Sequence, residues 1–270
     1  MCGFAPVRND GLLVLAPDVA EGDGTDAAYE LAALADAERR HFWFRARAQL
    51  IAWAINRYFP DANNLLDVGC GTGSVLAELH AASPHLTLTG TEILVSALRY
   101  ARGRVPDIEL LQLDAHQLPF DRHFDVVCAF DVLEHFDDDE PVLHEMAKSA
   151  REGGGLVLTV PQHPWLWSRA DEFARHRRRY RRRDLIDRVQ RAGFSIRRVT
   201  SFVTLLLPAL LWSRVRERSR DEPFDPVAEF RIGPVTNAAA TVLSDFEQLC
   251  IRAGISWPAG GTLLLVGVRS

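Results

Sequence analysis

Leu65-Leu66-Asp67-Val68-Gly69-Cys70-Gly71-Thr72-Gly73 decides the fold of this 270-residue chain. A short apolar run (65–68) ends in glycines at alternate positions, and an amphipathic stretch (74–82) follows. That pattern is a buried strand passing through a glycine turn into a helix. Outward from this unit it repeats. Residues 86–91, 108–113, 124–130 and 156–160 read as strands, with helices at 94–102 and 141–151 between them. Strands alternating with helices predict an α/β, Rossmann-like, doubly wound sheet, mostly parallel and covered on both faces. Gly153-Gly154-Gly155 is expected to stop a helix and turn the chain into the fifth strand.

The loop also constrains its ligand. Glycines permit positive φ and close approach of a ligand to bare backbone. The spacing is GxGxG rather than the GxGxxG of a dinucleotide site, and no Lys-Ser/Thr follows as a phosphate-binding loop requires. Asp67 aims a carboxylate at the loop, which opposes a pyrophosphate and suits a cation. Glu92, at the end of the second strand, can accept both hydroxyls of a ribose. Together they ask for a nucleoside that carries positive charge and no phosphate.

Composition narrows the class. The chain is 47% hydrophobic and 25% charged, ordinary globular values. Its net charge of −5 hides an asymmetry: residues 1–160 sum to −13 and residues 161–270 to +8. Four scattered cysteines, with no CxxC or HxxxH spacing, indicate neither a disulfide framework nor a metal site. The longest apolar run, 202–212, has 11 residues and contains Pro208, whereas spanning a bilayer takes about 20. No signal-peptide pattern opens the chain. A soluble, cytoplasmic protein is expected, with peripheral contact at the inner membrane face left open.

LLDVGCGTG, Glu92 after the second strand, Asp114-Ala115 after the third and Phe130-Asp131-Val132-Leu133-Glu134-His135 after the fourth resemble the class I S-adenosylmethionine-dependent methyltransferases. The resemblance covers about residues 40–200. It implies S-adenosylmethionine as cofactor and a seven-stranded sheet whose last strand, here 262–268, is antiparallel. It places the methionine portion against Asp67, Gly69, Cys70, Gly71 and Gly73, the ribose on Glu92 with Ile93, and the adenine edge on Asp114 and Ala115. Phe130, Asp131 and Val132 would lie beside the cofactor. His41-Phe42-Trp43-Phe44-Arg45-Ala46-Arg47 resembles a helix ahead of the sheet in a bacterial subset of these enzymes. Arg47, in preference to Arg45, would grip the cofactor's carboxylate with paired hydrogen bonds; the alternative is a packing helix with solvated arginines.

Methyl transfer to oxygen or carbon calls for a base. His163, after the fifth strand, is the first candidate and His135 the second, with His176 and Tyr180 further on in an arginine-rich loop. Residues 169–198 hold 12 arginines. Such a run, with an aromatic inside it, raises nucleic-acid binding. The acidic whole, the absence of a nucleic-acid module and the six acidic residues within 131–140, able to pair with the run, argue against it. The run 202–212 reads most simply as a buried core or cap helix; together with Trp165-Leu166-Trp167 ahead of the arginine run and the arginines that follow, it also suits a membrane interface or a lipid-linked, anionic acceptor.

The expected organisation is a loose leader (1–25), an N-terminal helical cap (26–60), a cofactor-binding core (61–200), a cap or insertion (201–260) and a last core strand (261–270). The expected function is methyl transfer to oxygen or carbon of a small acceptor. A non-catalytic cofactor- or RNA-binding protein and a nucleotide-dependent oxidoreductase are the alternatives. The acceptor and the oligomeric state are not legible in the sequence.

Overall fold

Central strands that are apolar on successive residues need cover on both faces. The computed structural model, which describes residues 7–9, 12–17, 25–218 and 232–270, provides it. β3 (Asn64–Val68), β4 (Thr87–Glu92), β5 (Glu109–Gln112), β6 (Phe124–Phe130) and β7 (Ala150–Pro161) pair in parallel in the order β5-β4-β3-β6-β7. β9 (Thr262–Arg269) then inserts between β7 and β8 (Phe194–Phe202), antiparallel to both. The chain steps outward from β3 to β5 and returns to β6. Strand order therefore reverses between β3 and β6, where such sheets open a crevice for ligands.

Successive residues divide between two cores, as a period of two demands. Leu65, Val126 and Val157 face α2 (Phe42–Tyr58), α3 (Ser74–Ala82) and α4 (Val95–Arg104). Leu66, Val127 and Leu158 face α5 (Glu140–Ser149) and α7 (Arg182–Arg191). α1 (Thr25–Arg40) lies ahead of α2, and α9 (Pro234–Arg252) packs along it. α6 (Arg169–Phe173) interrupts the arginine-rich segment, and α8 (Leu207–Arg218) follows β8. Among the described residues no helix is long and apolar enough to cross a membrane.

The seven expected strands are present, in the order β5-β4-β3-β6-β7-β9-β8 with the last strand, β9, antiparallel, and β1 (Val7–Asn9) and β2 (Leu12–Val14) add two more at the edge. Three expectations are corrected. The described part of the leader is not loose. Leu12 and Val14 are buried, β2 runs parallel to β5, and the buried Gln112 amide holds Ala16 through both its nitrogen (2.9 Å) and its oxygen (2.8 Å). Residues 1–6, 10–11 and 18–24 lie outside the described residues. The three glycines at 153–155 are not a helix stop: α5 ends at Ser149 and they sit inside β7, where the register against β6 shifts. The run 202–212 is not a buried cap helix. Phe202 is core, but Trp212 on α8 is 64% exposed against the described residues. The Pro-rich link near 223–226 lies outside them.

Candidate active site

The loop 69–73 joins β3 to α3 at the crevice. Gly69, Gly71 and Gly73 have φ of +73°, +55° and +77°, which side chains resist. A Cβ on Gly69 would lie 2.6 Å from Val132 Cγ2, and one on Gly73 2.9 Å from the Ala101 backbone. One on Gly71 would meet nothing within 4 Å. The outer glycines let the chain close on itself, while the middle one leaves backbone open towards a ligand. The Gly69 and Cys70 amides both donate to Thr91 O at 2.8 Å, which ties the loop to β4.

Three carboxylates expected to meet the cofactor lie at or beyond the ends of β3, β4 and β5. Glu92 accepts from the amides of Gly71 (3.0 Å), Ile93 (2.8 Å) and Leu94 (3.1 Å), so its carboxylate is fixed at the end of β4. Asp114, beyond β5 and next to the half-buried Ala115, accepts from the His116 amide at 2.9 Å and faces the His116 ring. Asp67 is 1% exposed, and its Oδ1 has no hydrogen-bond partner among the described residues. Burial pushes its pKa up to about 8; Arg47 opposes the shift and Glu92 adds to it. A buried carboxyl of this kind gains most from a cationic neighbour. Cys70 is buried, and the same desolvation raises its thiol well above the ordinary range, so it packs rather than reacts.

Arg47 comes from α2 and reaches the crevice; Arg45 does not, and pairs with Asp245 on α9 at 3.5 Å. The Arg47 guanidinium is buried, lies 4.8 Å over the Trp43 ring and pairs with Asp131. Asp131 follows the buried Phe130 with φ of +56°, and its carboxylate also accepts from Thr159 Oγ1 at 3.2 Å. Val132, next in line, is the residue that packs on Gly69. Sequence reasoning missed the clasp above the loop. Glu38 on α1 accepts from Thr72 Oγ1 at 2.6 Å and pairs with Arg104 at 2.6 Å, and Arg104 reaches Thr72 Oγ1 at 3.1 Å. No motif marks Glu38, since its role depends on how α1 docks.

The histidines separate. His163 follows β7 with φ of +65°, its ring stacks on Trp165 at 4.7 Å, and its buried Nε2 has no partner among the described residues. Burial and Arg179 both lower its pKa, so the imidazole is neutral at pH 7. His135 lies next to His176 instead, ring centroids 4.9 Å apart. Desolvation, with His176 beside it, pushes its pKa down to about 4. Tyr180 is no base: it is buried, donates to Asp139, and burial and that carboxylate raise its pKa. Five arginines of the run pair with acidic side chains of the molecule itself. Arg177 pairs with Asp137 (3.4 Å), Arg178 and Arg188 with Asp139, Arg191 with Glu140 (2.6 Å) and Arg179 with Asp171 (2.8 Å).

A doubly wound sheet with an open glycine loop, a ribose-type carboxylate at the end of β4 and a buried Asp67 whose Oδ1 has no partner among the described residues suit a cationic nucleoside. Known proteins agree with that class. Residues 35–199 match a family of methyltransferase domains. A demethylmenaquinone methyltransferase of Thermotoga maritima is 37% identical over 95 residues, 35% of this chain and 42% of that one. The chain thus spans less than half the length of that curated relative. An O-methyltransferase family protein of Burkholderia thailandensis superposes with a TM-score of 0.59 at 16% identity, over 94% of this chain and 62% of that chain. Phosphoethanolamine N-methyltransferase 2 of Haemonchus contortus, solved with S-adenosyl-L-methionine, does so with a TM-score of 0.53 at 20% identity, over 81% of this chain and 52% of that chain. The chain belongs to the S-adenosylmethionine-dependent methyltransferase family, and S-adenosylmethionine is its cofactor. The residues fit that group: it is cationic and free of phosphate, Gly71 leaves it room, and Asp67 offers a buried carboxylate with an unpartnered oxygen.

Proposed function

We propose that this chain transfers the methyl group of S-adenosylmethionine to an oxygen or carbon atom of a small, lipid-linked acceptor, with His163 as the base. The observation that carries the reading is the placement of His163. It follows β7, the strand next to β6, and its buried Nε2 has no partner among the described residues. When bound, the cofactor supplies a methyl group activated on a sulfonium. Everything else falls to the chain. Glu92 and Asp114 hold the nucleoside, and Asp67 favours the positive charge. Arg47 and Asp131, paired with each other and with the guanidinium lying over Trp43, would line the crevice. Aligning the reacting atoms in this way can supply roughly 7–11 kcal/mol. His163 takes the proton that the acceptor hydroxyl or carbon acid must lose, a contribution of roughly 10²–10⁴-fold.

A lipid-linked acceptor is supported by apolar side chains of α8 and α9 that are exposed against the described residues, Trp212 and Phe246 among them, with Arg216 stacked on Trp212. The relative named a demethylmenaquinone methyltransferase makes a quinone-type acceptor the first to try. The test is release of S-adenosylhomocysteine across a panel of quinone, phenol and lipid-linked hydroxyl acceptors. His163→Ala should lower kcat by roughly 10²–10⁴-fold with cofactor affinity unchanged. Full turnover in that variant removes His163 as the base. Tight cofactor binding with no release on any acceptor would leave only a cofactor-binding protein.

A further inference from the structure

Glu134, His135 and His176 take no part in the reaction just described, yet they converge. One ligand atom from each lies within 4.8 Å of the others. We propose that these three side chains bind one divalent transition-metal ion at the C-terminal end of β6.

The strongest sign is Glu134. Its side chain is fully buried (0% exposed), and neither carboxylate oxygen has a hydrogen-bond partner among the described residues. A carboxylate withdrawn from water needs a counter-charge at close range or it weakens the fold. His176 Nε2 stands 3.9 Å from Glu134 Oε1, too far for a hydrogen bond and close to the ~3.3 Å separation of two ligands sharing an ion at bond lengths of about 2.0–2.2 Å.

The second sign is the way the histidines are held. His176 Nδ1 lies 3.0 Å from Asp171 Oδ1, so the ring donates there and turns a bare Nε2 towards Glu134. Asp171 is buried and held in turn by Arg179 Nε (2.8 Å), the Ser168 amide (2.9 Å) and Ser168 Oγ (3.1 Å). His135 has a hydrogen bond to the Ala174 backbone, which likewise orients its ring. A ligating imidazole whose other nitrogen is held by a carboxylate or a carbonyl is the usual outer support of a metal site.

The donor set decides the ion. Two imidazoles and one carboxylate suit zinc, cobalt, manganese or iron rather than calcium or magnesium, which prefer oxygen alone. His135 is open to solvent, so three protein ligands leave a position for water or for an acceptor oxygen. The spacing rules for zinc motifs could not show this site. Glu134 and His135 are adjacent in sequence, but His176 lies 41 positions further on and arrives only when the segment after β7 folds back, its Arg177 amide donating to Glu134 O at 2.6 Å.

The experiment uses the full chain stripped with a chelator and titrated with Co²⁺ or Zn²⁺ alone, without cofactor or acceptor. One equivalent of Co²⁺ should produce a visible absorption band that Zn²⁺ abolishes, and calorimetry should give one site. Glu134→Gln, which keeps the shape of the side chain, and His135→Ala, at an open position, should each weaken binding at least tenfold. Both should retain the parent's circular dichroism and S-adenosylmethionine affinity. No saturable binding to the parent, or equal binding to both variants, overturns the proposal. Because the readout is metal binding alone, its outcome is separate from whether any acceptor is methylated.

Discussion

At the scale of single residues, Asp67 is the most exposed to test. Its folded-state pKa of about 8 lies far above the ordinary carboxylate value of 3.8. The folded chain therefore holds a proton that the unfolded chain has released, and stability is lost as pH rises between those two values. Asp67→Asn has no such proton to lose. Measured by thermal melting without cofactor, its stability relative to the parent should improve steadily from pH 5 to pH 8 and then level off. A gap that does not change with pH would show that Asp67 ionises normally. A cationic ligand acts in the opposite sense, because it favours the carboxylate. Binding of S-adenosylmethionine to the parent at pH 7 should release protons, and binding to Asp67→Asn should not, as calorimetry in buffers of different ionisation enthalpy reports. Asp67 was legible because its position two residues before Gly69 fixes its neighbourhood. Arg47 was half legible: the sequence offers Arg45 and Arg47 on one helix, and only the docking of α2 sends Arg45 to Asp245 and Arg47 to Asp131.

At the scale of elements, the chain following β8 depends on a carboxylate from far along the sequence. Val203 has φ of +60°, a poor conformation for a β-branched residue. It is held there by Glu247 of α9, which accepts from the amides of Val203 (2.8 Å), Thr204 (2.6 Å) and Leu205 (3.3 Å). Glu247→Ala leaves those half-buried amides without their acceptor and should cost about 1–3 kcal/mol. Chemical denaturation measures it, and an unchanged midpoint would show that water replaces Glu247 without penalty. The central strands and their helices were legible here because each carries its own hydrophobic period. β1 and β2 were not. They are three residues each and make sense only beside β5. The glycines of 153–155 misled for a related reason, since glycine marks a bulge within a strand as readily as a helix end.

At the scale of the whole molecule, the charge asymmetry acquires a structural meaning. The basic segment after β7 folds against the acidic segment after β6, and Asp137, Asp139 and Glu140 receive four of its arginines. Part of the arginine run thus pairs within the molecule, whereas α8 and α9 carry apolar side chains exposed against the described residues. There Trp212 and Phe246 are exposed, and Arg216 stacks on Trp212 at 5.3 Å. Apolar side chains beside arginine suit an interface with anionic lipid. The chain should float with anionic vesicles and not with neutral ones, and Trp212→Ala should reduce the floated fraction severalfold. Retention in the soluble fraction with both vesicle types would remove the membrane from this account.

Local chemistry alone determined the α/β class, the glycine loop, the carboxylates that suit a cationic nucleoside, and the segment that follows β6. Each of these is written within a dozen residues, where hydrophobic period, turn geometry and charge act through short stretches of chain. Tertiary structure alone decided which arginine enters the crevice, that Glu38 clasps the glycine loop, that part of the arginine run pairs with acids of the same molecule, and that Glu134 meets His176. Those contacts join residues from 34 to 84 positions apart, and their partners are chosen by how helices dock on the sheet, a geometry that sequence period does not encode.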